Sequence, residues 1–161
     1  MNIFVLSLSP KTAASYHCDK HVVKMVLETS QMLCSARHRY GVDAPYKPAY
    51  INHPCTRWAG DAAENYQWLL TLGKWLSREY TLRYGKVHKC NAVLDECRDT
   101  PPGMPRTQNG WVTPFAQAMP DHYKNEDPVA AYRAYYLGEK ARFAKWKTKT
   151  PEWWEVGGTD D

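Results

Sequence analysis

Residues 11–39 read KTAASYHCDKHVVKMVLETSQMLCSARHR, a long stretch that contains neither glycine nor proline. Apolar side chains recur along it at helical spacing, namely Val22, Met25, Val26, Met32, Leu33 and Ala36. This period is typical of a helix with one apolar face, whereas a strand would alternate every second residue. The stretch therefore predicts one long helix or two consecutive helices.

The segments on either side complete the first half of the chain. Residues 3–8 are apolar and β-prone and end at Pro10, which predicts a short strand or extended segment. Prolines and a glycine between residues 40 and 54 predict a loop. From Thr56 to Tyr84 apolar residues form a wide helical stripe, and Gly85 is well placed to end this long helix.

The second half contains a long irregular region between helices. A short helix is predicted from about Lys89 to Arg98, and residues 100–121 are too rich in proline and glycine for regular structure. Pro128 fits the first turn of a last helix, predicted to reach about Trp146. We expect a mainly α, compact single domain over residues 1–156, with a short extended N-terminal segment, a long Pro/Gly-rich loop and a disordered tail at 157–161.

Composition limits the cellular setting and the classes of partner. The 161 residues carry a formal net charge of +4 and include 7 Trp and 11 Tyr. A mildly basic chain is compatible with a polyanionic partner, and its rings could fill a core or stack on bases. The five cysteines contain no CxxC pair, which favours reduced cytosolic thiols. No signal peptide or membrane span is recognisable, so we expect a soluble cytoplasmic protein.

One predicted helical face of residues 11–39 carries polar and ionisable side chains. His17, His21, Lys24, Glu28 and Gln31 follow one another at steps of four, three, four and three residues. A helix would place them on one side, and a solvated surface would give the same pattern. A lysine near a glutamate in a partly buried site shifts the proton affinity of both groups, which is typical of active sites.

Two further segments favour contact with a phosphate backbone. His53 precedes Pro54 and a predicted helix, so its ring could face an anion at the helix start. Residues 78–89 mix cations with tyrosines, and the candidate contacts there are Arg83, Tyr84, Lys86 and His88. Cations hold phosphates while rings stack bases, although a basic helix end is also favourable by itself.

The start of the same helix carries three potential metal ligands. His17, Cys18 and His21 could supply ligands, and the two histidines have the spacing of a helical zinc site. The HExxH pattern is absent, because Cys-Asp-Lys separates them. The sequence therefore predicts neither a metal nor another cofactor.

The order of these residues resembles a known family. The matching elements are Asp19, His21, Lys24, Glu28 and Gln31, then His53-Pro54 and Trp58. They are similar to small bacterial and phage proteins known as pyrimidine-dimer DNA glycosylases, distant relatives of the phage repair endonuclease V. The likeness covers roughly the first 90 residues. Further on, the EYTLRYGK, AMPD and FAKWK…PEWW segments resemble phage-encoded homologues.

The resemblance implies base excision from DNA. A flipped pyrimidine nucleotide would enter a pocket, an amine would attack the sugar C1′, and Glu28 would assist imine formation and any strand cleavage by an AP-lyase step. In the endonuclease V enzymes the amine is exposed by removal of the initiator methionine. Asn2 is too bulky for efficient removal, so the amine would be that of Met1, with Lys24 or a Glu28-activated water as alternatives.

The predicted site combines a few candidate catalytic residues with a larger set of candidate DNA contacts. The candidate catalytic residues are Met1, His21, Lys24 and Glu28; the candidate DNA contacts are His17, Gln31, His53, Arg57, Trp58, Arg83, Tyr84, Lys86 and His88. An enzyme that modifies a base in phage DNA, within the host cytoplasm, would use a similar pocket and basic rim. A non-catalytic module that binds DNA, a nucleotide or a host protein would use Lys24 and Glu28 as a structural ion pair.

Overall fold

Six α-helices and one 3-10 turn make up the regular structure of the chain, as a computed structural model describes it for residues 1–154. The helices are α1 (Pro10–Tyr16), α2 (Asp19–Arg39), α3 (Pro54–Asp61), α4 (Ala63–Tyr84), α5 (Asn91–Glu96) and α6 (Pro128–Glu139). The 3-10 turn spans Asp121–Tyr123. No strand occurs in this part of the chain. The prediction of a mainly α single domain is confirmed, and the apolar N-terminal segment is extended without strand pairing.

The decisive stretch forms two consecutive helices, which was one of the two predicted outcomes. α1 ends where His17 turns to extended backbone, with φ −64° and ψ 135°. Ser9 accepts a hydrogen bond from the Thr12 amide and caps the start of α1, where Pro10 occupies the first turn. α2 then begins at Asp19 and carries the candidate Lys24–Glu28 pair through the middle of the fold.

The prediction of one helix from Thr56 to Tyr84 is wrong, because Ala62 separates α3 from α4. Ala62 is extended, with φ −156° and ψ 149°. The backbone amide of Ala63 donates instead to the Pro105 carbonyl at 2.7 Å, and the Asn65 side chain donates to the Trp58 carbonyl at 2.8 Å. These distant partners satisfy groups that an unbroken helix would pair internally. The end of α4 at Gly85, with φ +72°, is as predicted.

The last helix is shorter than predicted. α6 starts with Asp127 accepting hydrogen bonds from the amides of Val129 and Ala130, but it ends at Glu139 rather than near Trp146. Downstream, the Trp146 side chain donates to the Tyr16 carbonyl at 2.9 Å, so tertiary contacts hold this segment. α5 is also shorter than predicted, and the Pro/Gly-rich loop is confirmed. The predicted tail at 157–161 lies outside the described residues.

The N-terminal segment is part of the core. α2 packs mainly on α4 and α3, and α1 packs on α4. Residues 3–6 are almost completely buried. The Phe4 ring stacks on His21 of α2 at 4.4 Å and meets Tyr136 of α6 edge-on at 5.4 Å. The start of the chain is therefore held between α2 and α6. No helix of residues 1–154 is long and apolar enough to cross a membrane.

Candidate active site

Two amines flank one carboxylate where the chain begins. The N-terminal nitrogen of Met1 lies 3.2 Å from Glu28 Oε1, and Lys24 Nζ lies 3.5 Å from Glu28 Oε2. The side chains of Met1 and Glu28 are only 2% and 11% exposed, whereas that of Lys24 is 64% exposed. Since α2 places Lys24 one turn before Glu28, spacing alone explains the second contact. The first contact depends on the tertiary fold.

Asn2 fixes the chain start in the core. Its side-chain amide donates to the Ala118 carbonyl at 2.9 Å, and its Oδ1 accepts from the Ile3 amide at 2.8 Å. The Tyr132 hydroxyl lies 2.9 Å from the same Oδ1. A buried side chain with this many partners has one favourable position. Because Met1 precedes Asn2 directly, the hydrogen bonds of the Asn2 side chain also hold the Met1 amine beside Glu28.

His53 faces the same amine and carboxylate from the start of α3. Its Nδ1 accepts from the Cys55 amide at 3.0 Å and caps the helix, so the proton of the neutral ring lies on Nε2. Burial lowers the pKa of His53, as does the positive charge at Met1, while Glu28 acts in the opposite direction. The ring is a neutral donor whose free N–H is not consumed by the cap.

A cavity of about 420 Å³ lies further along α2 than this centre and is lined by residues of α2, α3 and the loop before α3. Its lining residues are Ser35, Ala36, His38, Arg39, Pro48, Ile51, Asn52, Thr56 and Arg57. The Thr56 hydroxyl is buried and has no hydrogen-bond partner among the described residues. Ser35 and Arg39 lie on the same side of α2 as Glu28, roughly 10 and 16 Å along the helix axis. The cavity thus offers polar groups and two cations within reach of an elongated ligand at Glu28.

The two histidines of the predicted face lie in the aromatic core. His21 Nδ1 is 2.6 Å from the Tyr136 hydroxyl, and His17 Nδ1 is 2.7 Å from the Ala13 carbonyl. Burial lowers the pKa of His21 to about 2 and that of His17 to about 4. Both rings are neutral at physiological pH. His21 lies about two helical turns from Glu28 and has a packing role in this structure.

Arg83 lies inside the fold rather than on a basic surface. Its guanidinium donates to the carbonyls of His17 and Ser15 at 2.7 and 3.0 Å, and it pairs with Asp19 and Glu79. The side chain is 0% exposed. The structure therefore gives this guanidinium a structural role at the junction of α1 and α2, where it has no free face for a phosphate.

The remaining predicted contacts divide between core and surface. Trp58 is buried and donates to the Thr113 carbonyl at 3.2 Å, and both ring nitrogens of His88 are within 3.0 Å of backbone partners. Arg57 and Lys86 are exposed, and Gln31 and Tyr84 are partly exposed. Of this group, Arg57 lines the cavity beside His53.

Sequence reasoning missed the residues that hold the amine from a distance. Tyr132 and Ala118 meet Asn2 from more than a hundred positions away along the chain. No spacing rule connects such positions, so the sequence held no signal for them. Thr56 could not be predicted from the sequence either, because what distinguishes it is a buried hydroxyl without a hydrogen-bond partner among the described residues. Within residues 1–154, no three His, Cys, Asp or Glu side chains are placed to hold a metal ion.

Comparison with known proteins identified one family. Neither the curated proteins nor the solved structures gave a match. A family model described as pyrimidine dimer DNA glycosylase matches residues 1–92, which include the chain start, Glu28 and His53. The matched residues exceed half of the chain and imply a DNA glycosylase-type function with DNA as the substrate. The chain belongs to the pyrimidine dimer DNA glycosylase family.

Proposed function

We propose that the protein is a pyrimidine-specific DNA glycosylase, with AP-lyase activity, in which the Met1 amine is the nucleophile and Glu28 the proton-transfer group. The observation that supports this most directly is the 3.2 Å contact between the N-terminal nitrogen and Glu28 Oε1. A nucleophile within hydrogen-bond reach of a carboxylate that can take its proton is the arrangement that covalent catalysis requires.

The proposed reaction proceeds through an imine. The free amine attacks C1′ of a flipped nucleotide, a nitrogen–carbon bond forms, and the bond from C1′ to the base breaks with its electron pair leaving on the base. Glu28 accepts the proton that the amine loses and returns a proton to the ring oxygen as the sugar opens. Glu28, again a carboxylate, takes a C2′ proton while the C3′–oxygen bond breaks and its electron pair leaves on the 3′ phosphate, and water then hydrolyses the imine to restore the amine.

The structure favours the Met1 amine over Lys24 as the nucleophile. The Met1 side chain is 2% exposed and its backbone is fixed through Asn2, whereas Lys24 is 64% exposed and bends back to Glu28 along the helix. A held nucleophile loses less freedom when it reacts.

The cavity that begins roughly 10 Å along α2 from Glu28 offers space for a displaced base. Its volume of about 420 Å³ suits a nucleoside, and the unpartnered Thr56 hydroxyl offers a hydrogen bond to a base edge. His53 Nε2–H and the exposed Arg57 lie where a phosphate next to the reacting sugar could accept hydrogen bonds.

Borohydride trapping on duplex DNA that contains a pyrimidine dimer tests the proposal. We expect a covalent protein–DNA adduct with the wild type, and at least a ~100-fold slower reaction for Glu28→Gln. Glu126→Gln, an exposed change of the same kind, is the matched control and should leave the rate unchanged. Peptide mapping should find the sugar on Met1, and Lys24→Gln should still form the adduct.

Other results would redirect the assignment. An adduct on Lys24 would show that Lys24, and not Met1, is the nucleophile. Base release without any adduct would show that no amine attacks the sugar and that Glu28 activates a water molecule instead. If purified protein neither releases a base nor forms an adduct on dimer-containing or modified DNA, the excision mechanism is overturned.

A further inference from the structure

A second cleft lies on the other side of Glu28 along α2 and is lined by three cations, a neutral histidine and a phenylalanine. It has a volume of about 500 Å³ and is lined by Lys20, His21, Lys24, Arg142 and Phe143. No carboxylate belongs to the lining. Lys20 and Lys24 lie on the first two turns of α2, while the last two residues come from the segment that follows α6.

Phe143 supports two of the cations. Lys20 Nζ is 5.1 Å from the centre of the Phe143 ring, and the Arg142 guanidinium carbon is 5.7 Å from it. Both cations are exposed, and neither takes part in an ion pair within residues 1–154. Cations placed over a ring keep their charge available to a ligand. The cleft therefore presents free positive charge on an apolar floor.

The position of the C-terminal segment is set by Asp19 at the start of α2. The Asp19 amide donates to the Lys145 carbonyl at 2.7 Å, and the Lys147 amide donates to Asp19 Oδ1 at 3.0 Å. The buried Arg83 holds the same carboxylate at 3.1 Å. Because backbone groups form these bonds, the cleft wall is part of the fold rather than a chance approach of exposed side chains.

The two cavities lie along the same helix with the reaction centre between them. Lys24 and Lys20 are roughly 6 and 12 Å before Glu28 along the axis of α2, and Ser35 and Arg39 of the first cavity are roughly 10 and 16 Å after it. Phosphates along one DNA strand are spaced on a similar scale. A strand whose sugar reaches the amine would pass over the basic cleft.

We propose that the cleft between α2 and residues 142–143 binds the DNA phosphate backbone flanking the excised nucleotide, with Lys20 and Arg142 as its phosphate contacts. The inference rests on the proposed function for its DNA partner. It assigns a role to Arg142 and Phe143, which lie beyond the residues that the family model matches. These residues would increase the affinity for DNA and fix the position of the strand relative to the proposed reaction centre, which is built from the first 92 residues.

Fluorescence anisotropy tests the cleft without any chemistry. The probe is a labelled duplex that carries a tetrahydrofuran abasic analogue, titrated at several salt concentrations with the full chain. Loss of two phosphate contacts should reduce the slope of log K against log salt by about 1.8, because each contact contributes about 0.9. We therefore expect Lys20→Gln/Arg142→Gln to show this shallower slope and binding at least ~10-fold weaker at 0.1 M salt.

The matched control removes the same charges elsewhere. Lys74→Gln/Arg98→Gln changes one lysine and one arginine on the α4–α5 side and should keep the wild-type slope. The cleft proposal is overturned if the first double variant keeps that slope, if the control loses as much, or if the wild type does not bind the duplex. The two proposals fail separately. A trapped adduct with an unchanged slope removes only the cleft, and a changed slope without an adduct removes only the amine mechanism.

Discussion

The Tyr132 hydroxyl of α6 lies 2.9 Å from Asn2 Oδ1, next to the nitrogen that faces Glu28. It also lies 2.8 Å from the Ala116 carbonyl and accepts from the Ala118 amide at 3.3 Å. One hydroxyl thus joins the last helix and the long loop to the start of the chain. The geometry of the proposed reaction centre therefore depends on residues outside the matched family region.

Removal of this hydroxyl should weaken both the fold and the chemistry. In Tyr132→Phe the Ala118 amide loses its partner, and we expect the free energy of unfolding to fall by about 1–3 kcal/mol. Imine formation should slow by about 10- to 100-fold, because small displacements of a nucleophile are costly. Urea denaturation and single-turnover trapping measure the two effects. Tyr135→Phe is the control, and equal losses in both variants would contradict the anchor.

The identity of residue 2 should decide which amine faces Glu28. Asn2→Ala has a small second residue, which permits removal of Met1 and leaves an amine one Cα–Cα step of ~3.8 Å further along the chain. We expect intact-mass analysis to show the loss of methionine, with trapping reduced at least ~100-fold. Asn2→Leu lacks the amide but keeps Met1, so its smaller loss separates anchoring from processing. Full activity in a processed Asn2→Ala protein would refute the assignment of Met1.

The two buried histidines should make the protein acid-sensitive. Their folded-state pKa values, about 4 for His17 and about 2 for His21, lie below the ordinary histidine value of about 6.5, because both rings are buried. Below about pH 6.5 the unfolded chain binds protons that the folded chain refuses, so stability falls as pH decreases towards 4. The slope approaches ~1.4 kcal/mol per pH unit for each histidine.

Urea titrations between pH 7.5 and 4.5 measure this slope. His21→Phe should start from a lower stability, since Tyr136 loses a partner, but should lose less stability per pH unit than the wild type. His122→Gln changes an exposed histidine and should keep the wild-type slope. An unaltered slope in His21→Phe would show that another group causes the acid sensitivity.

The buried guanidinium of Arg83 should contribute more to the free energy of unfolding than an exposed guanidinium does. Arg83→Gln leaves Asp19 and Glu79 without their charge partner, and we expect the free energy of unfolding to fall by about 3–5 kcal/mol. Arg106→Gln removes a cation that is 83% exposed and 4.0 Å from Glu64, which should cost less than about 0.5 kcal/mol. Similar losses from both changes, measured by chemical denaturation, would rule out the structural role of Arg83.

Local rules predicted the parts of the fold that depend on neighbours in sequence. Pro128 at the first turn of α6 and Gly85 at the end of α4 act within one helical turn, and both boundaries were found where expected. The break at Ala62 was not predictable, because the groups that stabilise it lie on the long loop. Periodicity continues through this position as if the helix were unbroken.

The candidate site divides in the same way. The contact between Lys24 and Glu28 follows from their spacing on α2, so the sequence predicted it. The approach of Met1 to Glu28 came only through the family resemblance, since it requires the N-terminal segment to pass between α2 and α6. The burial of His17, His21 and Arg83 was missed because polar residue types gave no sign of the aromatic and ionic partners that enclose them.

The ion pair between the first nitrogen and Glu28 makes the proposed chemistry sensitive to acylation. A formyl group, an acetyl group or the residue of an upstream affinity tag would turn this amine into a neutral amide and remove its ion pair with Glu28. If the proposed mechanism holds, an acylated protein is inactive in trapping assays, so an affinity tag belongs at the far end of the chain, and removal of the N-terminal acyl group restores the activity.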